Sequence, residues 1–460
     1  MGKLTINQVV NVLLGGGRST RLGVMTQYAK RTKGAVAVGG KFRLVDYPLT
    51  NISETNRAGE GQATDTYLML QWNPRSLHRH VGTGEAWGFS DRDMRLHMEY
   101  PVQTNESDKI EAWSGTVRPL TQKWDYIFDR GHTAVLVATT DHVYRANYRQ
   151  LIDGINRHST SSRPAHGAIF VYPVGEEDAK RFGIMRVNKS GRIIKFVEKP
   201  QTEEELERLV LTDEMKDSMG IERDGRVFLG SMGVYLFMKE PLREYAFLDG
   251  YTDFGKHVIP KMIKTHRLYA VPFDGVWCDI GERHAYHGLH MRALEDRAFG
   301  EEVFHAGLIT SRARQLSDMQ VYGTLIRSMK SPGTMIGENV TVEFSVLGYQ
   351  VFTEDTDADH PTVIKRSILN GADRNEVGPN GPIRPVQYIG RGVTLENVIT
   401  DKNVRIGHGV SITPANGLRY ERRIQAFEGI GYQDGVHVNV DPDGLVTIGK
   451  GLHIPDNFRA

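Results

Sequence analysis

Short apolar runs alternate with longer polar stretches of helical length from residue 1 to about 290, the texture of a doubly wound α/β domain. The runs are rich in β-branched residues and read as strands at 9–14, 67–70, 133–138, 168–172, 193–197 and 233–237. Two of them, 9–14 and 133–138, are apolar at nearly every position, as strands buried on both faces of a parallel sheet must be. Between the runs, 202–219 is acidic and helix-compatible, with Leu206, Leu209 and Leu211 as its apolar positions. A second helix, 282–297, follows Gly281 and closes the domain.

Beyond residue 330 the spacing changes. Aliphatic residues stand six apart in Ile336 and Val342, Ile389 and Leu395, Ile406 and Ile412, and Ile448 and Ile454. Gly337, Gly390, Gly407 and Gly449 directly follow the first member of each pair. A six-residue period is that of a parallel β-helix, in which one apolar residue per face points into a stacked core; an irregular β-sandwich is the alternative. Polar stretches at 350–361, 371–385 and 415–433 interrupt the repeats and are expected to leave as loops. The expected organisation is a first domain over 1–297, a linker over 298–329 and a β-helix over 330–460. Asp355, Asp357 and Asp359 alternate in the first loop and offer either calcium ligands or a solvated acidic turn.

The chemistry gathers where the first strand ends. Gly15, Gly16 and Gly17 have no Cβ, so their backbone N–H groups can approach an anion closely, and Arg18, Arg21 and Lys33 bring positive charge beside them. This reads as a phosphate-binding corner, although it carries neither the Lys-Ser/Thr pair of a Walker loop nor the glycine spacing of the dinucleotide fingerprint. A strand-to-helix turn with solvated basic residues is the plainer alternative. The 133–138 run delivers Thr139, Thr140, Asp141 and His142 at its C-terminal end, the edge at which open α/β sheets bind ligands. Asp279 stands after Trp277 and Cys278, just ahead of the closing helix. Two carboxylates, with phosphate oxygens and water, suit magnesium, while either aspartate alone could cap a helix.

GGGRSTRL, KGAV and GGKFRLVDYPLTN together resemble the N-terminal signature of the sugar-phosphate nucleotidyltransferases, and among them the glucose-1-phosphate adenylyltransferases. RFGIM (181–185), FVEKP (196–200), LGSMGVYLF (229–237), Asp253-Phe254-Gly255 and VWCDIGE (276–282) extend the resemblance to nearly the whole chain. It implies a doubly wound, mostly parallel sheet followed by a left-handed parallel β-helix. It also implies transfer of a nucleoside monophosphate, AMP from ATP, to α-D-glucose 1-phosphate with release of pyrophosphate. By the same resemblance Gly15, Gly16, Gly17, Gln71, Gly115 and Thr116 bind the nucleotide, Arg21 faces the departing pyrophosphate and Lys33 the α-phosphate. Asp141 and Asp279 hold Mg²⁺, while Gly183, Glu198, Lys199 and Ser231 line the sugar-phosphate pocket. A homotetramer answering to a metabolite effector is implied as well.

The sequence departs from the family pattern at Leu14-Gly15-Gly16 or Gly15-Gly16-Gly17 for Ala-Gly-Gly, Ser19-Thr20-Arg21 for Gly-Thr-Arg, Lys33-Gly34 for Lys-Pro, Thr140-Asp141-His142 for Gly-Asp-His, and Val117-Arg118-Pro119 where Ala-Asp-Ala follows Gly-Thr, and two extra residues lie between Leu22 and Lys33. These changes leave open a non-catalytic regulatory paralogue that keeps the fold and binds a sugar phosphate or an effector. An acyltransferase built on the β-helix is disfavoured by the broken repeats.

Composition bounds the rest. With 460 residues the chain can build two or three cores. A formal net charge of +1 gives no overall reason to bind nucleic acid or an anionic membrane, so an anionic ligand must be held by local charge. MGKLTINQ lacks a hydrophobic signal segment and no apolar run of about 18 residues occurs, so the expected location is the cytoplasm. The single cysteine, Cys278, leaves no partner for an intrachain disulfide and excludes a cysteine-based metal cluster.

Overall fold

The computed structural model describes residues 2–460 except 18–19, 58–63, 90–93, 103–111, 306, 313, 315, 317–318, 373–376, 379–380, 383–386 and 415–417. Nine strands make the first sheet: β1 (Val9–Leu14), β2 (Thr66–Met69), β3 (Leu96–Glu99), β4 (Ala134–Thr139), β5 (Gly167–Val174), β6 (Gly183–Val187), β7 (Ile193–Glu198), β8 (Phe228–Met238) and β9 (Leu268–Pro272). β1 lies between β2 and β4 and is parallel to both, and β3 extends this parallel core at one edge. Val10, Val12 and Leu13 are fully buried because helices cover both faces, which explains why β1 reads as an unbroken apolar run. On the far side of β4 the long β8 runs antiparallel, and it pairs in turn with β5 and β6. β7 folds back on β6 as a hairpin partner, and β9 lies parallel to β5. Each expected strand overlaps a strand of this sheet.

The single helix expected over 202–219 is two short ones, Glu203–Glu207 and Asp213–Met219. Leu206 and Leu209 keep helical spacing, but Leu211 does not. Its N–H instead donates to the Val227 carbonyl at 2.9 Å, which breaks the helix, and Thr212 caps the next one through Met215 N–H. The closing helix is Arg283–Glu295, after which Asp296 accepts from Phe299 N–H and starts a further helix, Arg297–Phe304. The stretch 298–329 therefore holds most of that helix and also the first β-helix strand, Thr324–Ile326.

The C-terminal coils stack into three faces of five, six and four strands, parallel throughout except at the Val438–Val440 edge. All eight aliphatic residues of the six-residue repeats are fully buried, each contributing about 2 kcal/mol of apolar burial. The glycines after them are needed for close stacking: a Cβ on Gly390 would lie 2.8 Å from the Gly407 backbone, and one on Gly337 2.6 Å from the Asp355 backbone. The stretch 350–361 does not leave wholly as a loop, since Val351–Thr353 is a strand of the third face. Within 371–385, Val377–Gly378 pairs with Gly381–Pro382. The 415–433 interruption, whose first three residues lie outside the described ones, contains the helix Tyr420–Gly429, which packs Phe427 on Phe458. Asp355 accepts from Glu338 N–H and Asp357 from His360 N–H, so these carboxylates cap turns.

The two parts share an apolar cluster in which Leu22, Met25 and Tyr286 meet Val346, Ile368, Ile399 and Leu445. Among the described residues, no helix is long and apolar enough to cross a membrane.

Candidate active site

β1 and β4 end side by side, and their C-terminal edge carries the site. Gly15 N–H donates to the Met69 carbonyl at 2.9 Å, which carries the pairing of β1 with β2 one residue beyond the strand. A Cβ on Gly15 or Gly16 would come within 3.2 Å of Met69 or Gln71, so the glycines bring backbone into tight contact with the neighbouring strand end. Gly15, Gly16 and Gly17 floor a cleft of about 370 Å³. Its walls include Lys33, Gln71, Gly115, Thr116 and Asp141, all expected from the sequence. Thr32, Trp113 and Thr140 line it too, and the sequence alone assigns no role to Thr32 or Trp113. Arg18 lies outside the described residues.

Lys33 is the electrostatic centre. Its Nζ donates to Asp141 Oδ2 at 2.9 Å and to Asp279 Oδ1 at 3.2 Å, with the lysine side chain only 10% exposed. Burial alone would lower the Lys33 pKa, but the two carboxylates outweigh it and hold the ammonium charged. Burial likewise opposes ionisation of Asp141, yet Lys33 first and then His142 keep its carboxyl well below the usual range. Asp279 reaches this point because Trp277–Asp279 pairs antiparallel with His142–Tyr144, setting Asp279 opposite His142. His142 Nε2 lies 3.5 Å from both carboxylates. Arg181, which stands in RFGIM without a role assigned from sequence, approaches Asp279 Oδ2 at 3.7 Å. Arg21 is exposed and does not line the cleft, but its guanidinium stands beside Gly281 on the Asp279 side.

Asp141, His142 and Asp279 are the group of metal-capable side chains found among the described residues. Asp141 Oδ1 is buried without a hydrogen-bond partner. An orphaned carboxylate oxygen beside a second carboxylate fits a hard divalent cation such as Mg²⁺; the imidazole suits it less.

The residues expected around the sugar phosphate form a second group that does not line the glycine cleft. Glu198, at the end of β7, points its Oε2 between Gly183 and Gly255; a Cβ on either glycine would meet that oxygen at 2.7 and 2.5 Å. Burial and the nearby Asp253 raise the Glu198 carboxyl pKa, with Lys199 and Lys256 opposing. Lys199 takes a left-handed backbone (φ 54°), unusual for a side-chain-bearing residue, and its Nζ lies 4.0 Å from Glu198. Ser231 is 7% exposed and its Oγ accepts from Gly233 N–H. The two groups are joined. Gly233 backs onto Thr139, the Met232 carbonyl lies 3.2 Å from His142 Nδ1, and Thr116 Oγ1 bridges Asp253 Oδ2 and Phe254 N–H.

Two departures from the family pattern find a physical reason together. A Cβ on Gly34 would lie 2.8 Å from Thr140 Oγ1 and 3.2 Å from its Cβ. Thr140 thus fills the space that a proline at 34 would need. Gln71 is engaged locally, its amide donating to the Trp113 carbonyl and accepting from Trp113 N–H. Val117 to Pro119 form the start of the helix Arg118–Gln122 at the cleft wall.

The family model described as Nucleotidyl transferase matches residues 10–296, and that described as GLGC left-handed parallel beta-helix domain matches 314–458. A glucose-1-phosphate adenylyltransferase of Thermosipho melanesiensis is 29% identical over 362 residues, 74% of this chain and 78% of the relative. One of Thermosipho africanus is 32% identical over 287 residues, 61% of this chain and 60% of the relative. With the mixed α/β sheet, the glycine-floored cleft and the stacked parallel coils in place, the chain belongs to the nucleotidyl transferase family and carries a left-handed parallel β-helix domain at its C-terminal end.

Proposed function

We propose that the protein transfers AMP from ATP to the phosphate of α-D-glucose 1-phosphate, forming ADP-glucose for glycogen or related glucan synthesis and releasing pyrophosphate. One observation carries the reading furthest: an ammonium group held between two carboxylates at the mouth of a cleft floored by three glycines. Phosphoryl chemistry of this kind asks for alignment and charge neutralisation rather than a covalent nucleophile. Lys33, which bridges Asp141 and Asp279 here, would turn to the α-phosphate, and Arg21 would meet the departing pyrophosphate. Gly15 to Gly17, Gly115 and Thr116 would seat the nucleotide, with Gln71 shaping the wall through Trp113. Glu198 would accept sugar hydroxyls, Lys199 would orient the attacking phosphate, and Ser231 and Gly183 would line the sugar. Asp141 and Asp279 would hold Mg²⁺, which when bound supplies positive charge against the phosphate oxygens. Residues 1–297 would be the catalytic unit, joined through 298–329 to the β-helix of 330–460, in a cytoplasmic homotetramer open to a metabolite effector.

A non-catalytic regulatory paralogue is the second reading, favoured by the occupied Gln71 amide and the altered segment at Val117 to Pro119. Against it stands the matched exchange at Gly34 and Thr140, which keeps the contact beneath Lys33 filled without overlap. Pyrophosphate release, measured with Mg²⁺ across a panel of nucleoside triphosphates and hexose 1-phosphates, decides between them. Release that depends on both substrates supports the enzyme. No release with any pair, while glucose 1-phosphate still raises Tm, supports the paralogue.

A further inference from the structure

The segment that carries Arg21 and Lys33 is fastened at both ends to the β-helix. At its start, Val24 N–H donates to Asn439 Oδ1 at 3.0 Å, and Arg283, close by, donates through Nε to Asp441 at 3.1 Å. At its end, Arg31 donates to Asp401 Oδ2 at 2.7 Å, with side chains 5% and 1% exposed. This ion pair spans 370 residues of sequence and is closed off from solvent. Asp401 Oδ1 has no hydrogen-bond partner, so the buried carboxylate depends on Arg31.

The two residues that flank Arg31 make the pair more than a staple. Lys30, just before it, has a left-handed backbone (φ 47°), a conformation that costs free energy and persists only where its surroundings enforce it. Thr32, just after it, donates from Oγ1 to the Gly15 carbonyl at 2.6 Å, and Lys33 then reaches the two carboxylates. Three consecutive side chains therefore tie the β-helix, the glycine turn and the metal-capable carboxylates together. Because the pair is buried and directional, a shift of Asp401 must pass to Arg31 and along this short strained segment to Lys33.

We infer that Asp401 and Arg31 are positioning residues: the C-terminal β-helix, through their buried ion pair, sets where the Lys33 ammonium stands. The inference rests on the proposed reaction for its kinetic readout, but not for its structural one. Two variants of the full chain test it. Asp401→Asn leaves the Arg31 charge buried and unmatched. The double variant Arg31→Met with Asp401→Leu removes both charges while keeping the volume filled, an exchange that buried pairs often tolerate, and it decides the matter if the first does not fold.

Misplacing a reacting group by about 1 Å can cost roughly a hundredfold. The expected result is a kcat lowered roughly ten- to a hundredfold, an unchanged KM for glucose 1-phosphate, and faster hydrogen exchange of amides 26–36 with the β-helix amides unaltered. A folded double variant with wild-type kcat overturns the inference, even if exchange rises, because the pair is then only structural. If the wild-type chain releases no pyrophosphate, the proposed reaction fails on its own. Exchange at 26–36 then decides alone whether the pair holds the segment: faster exchange shows that the β-helix fixes the backbone carrying Lys33, and unchanged exchange ends the inference.

Discussion

Gly255→Ala separates the function of the sugar-side group from its stability. The Cβ added at 255 would lie 2.5 Å from Glu198 Oε2 and 3.1 Å from its Cδ. Ordinary contact begins at 3.4 Å, so the carboxylate must retreat by the difference, 3.4 − 2.5 = 0.9 Å. Glu198 is a flexible side chain and can move at small cost to the fold. Gly255 lies in the helical segment Phe254–Val258 with no positive φ, where alanine is favoured over glycine by up to about 1 kcal/mol. Tm should therefore hold or rise slightly. A displacement near 1 Å of a substrate-orienting group costs roughly a hundredfold, or about 2.7 kcal/mol of transition-state stabilisation. The assay is pyrophosphate release against glucose 1-phosphate at saturating MgATP, together with a melting curve. Loss of kcat/KM for the sugar phosphate with Tm retained is the expected outcome. A variant that keeps kcat/KM within about threefold of wild type, well short of that hundredfold, refutes the placement of Glu198 at the sugar.

The same geometry sets further outcomes. Gly34→Ala alone should overlap Thr140 and lower both Tm and activity, while adding Thr140→Gly should restore both; a double variant no better than the single would mean that the two positions do not share one space. Glu198→Gln should melt higher than wild type at pH 7. The folded-state carboxyl pKa is raised by burial and Asp253, so ionised Glu198 costs stability, and the difference should vanish as pH falls below the ordinary glutamate range; a lower Tm at pH 7 contradicts this. Burial pushes His290 down to about 4 from its ordinary 6.5, and His166 likewise to about 4 by burial and then His266. Both must be neutral in the fold, so stability is full above pH 6.5 and lost as pH falls towards 4. His290 contributes about 3 kcal/mol to that loss. Denaturant midpoints across this range should show it, less steeply in His290→Gln, and a flat profile would refute it.

The parallel core and the β-helix were legible because burial on both faces of β1 and β4, and the six-residue repeat, leave period-specific patterns. The antiparallel half of the sheet was not, since an apolar strand such as 233–237 reads alike in either direction. Leu211 misled as a helix position because its backbone bond to Val227 outweighed local propensity. At the site, Lys33, Asp141 and Asp279 could be named from motifs, but their meeting could not, since 246 residues separate Lys33 from Asp279. Thr32 and Trp113 carried no signal beyond adjacency to motif residues. The value of Gly34 emerged only against Thr140, more than a hundred positions away.

Movement of a nucleotidyl group at this edge of the sheet is measured with ATP radiolabelled at its α-phosphorus, incubated with Mg²⁺ and glucose 1-phosphate, with products separated by charge. The label should leave ATP and enter ADP-glucose, never pyrophosphate, and Asp141→Asn should slow this at least about a hundredfold. Label that stays in ATP, or transfer that persists unchanged in the Asp141→Asn variant, would contradict it.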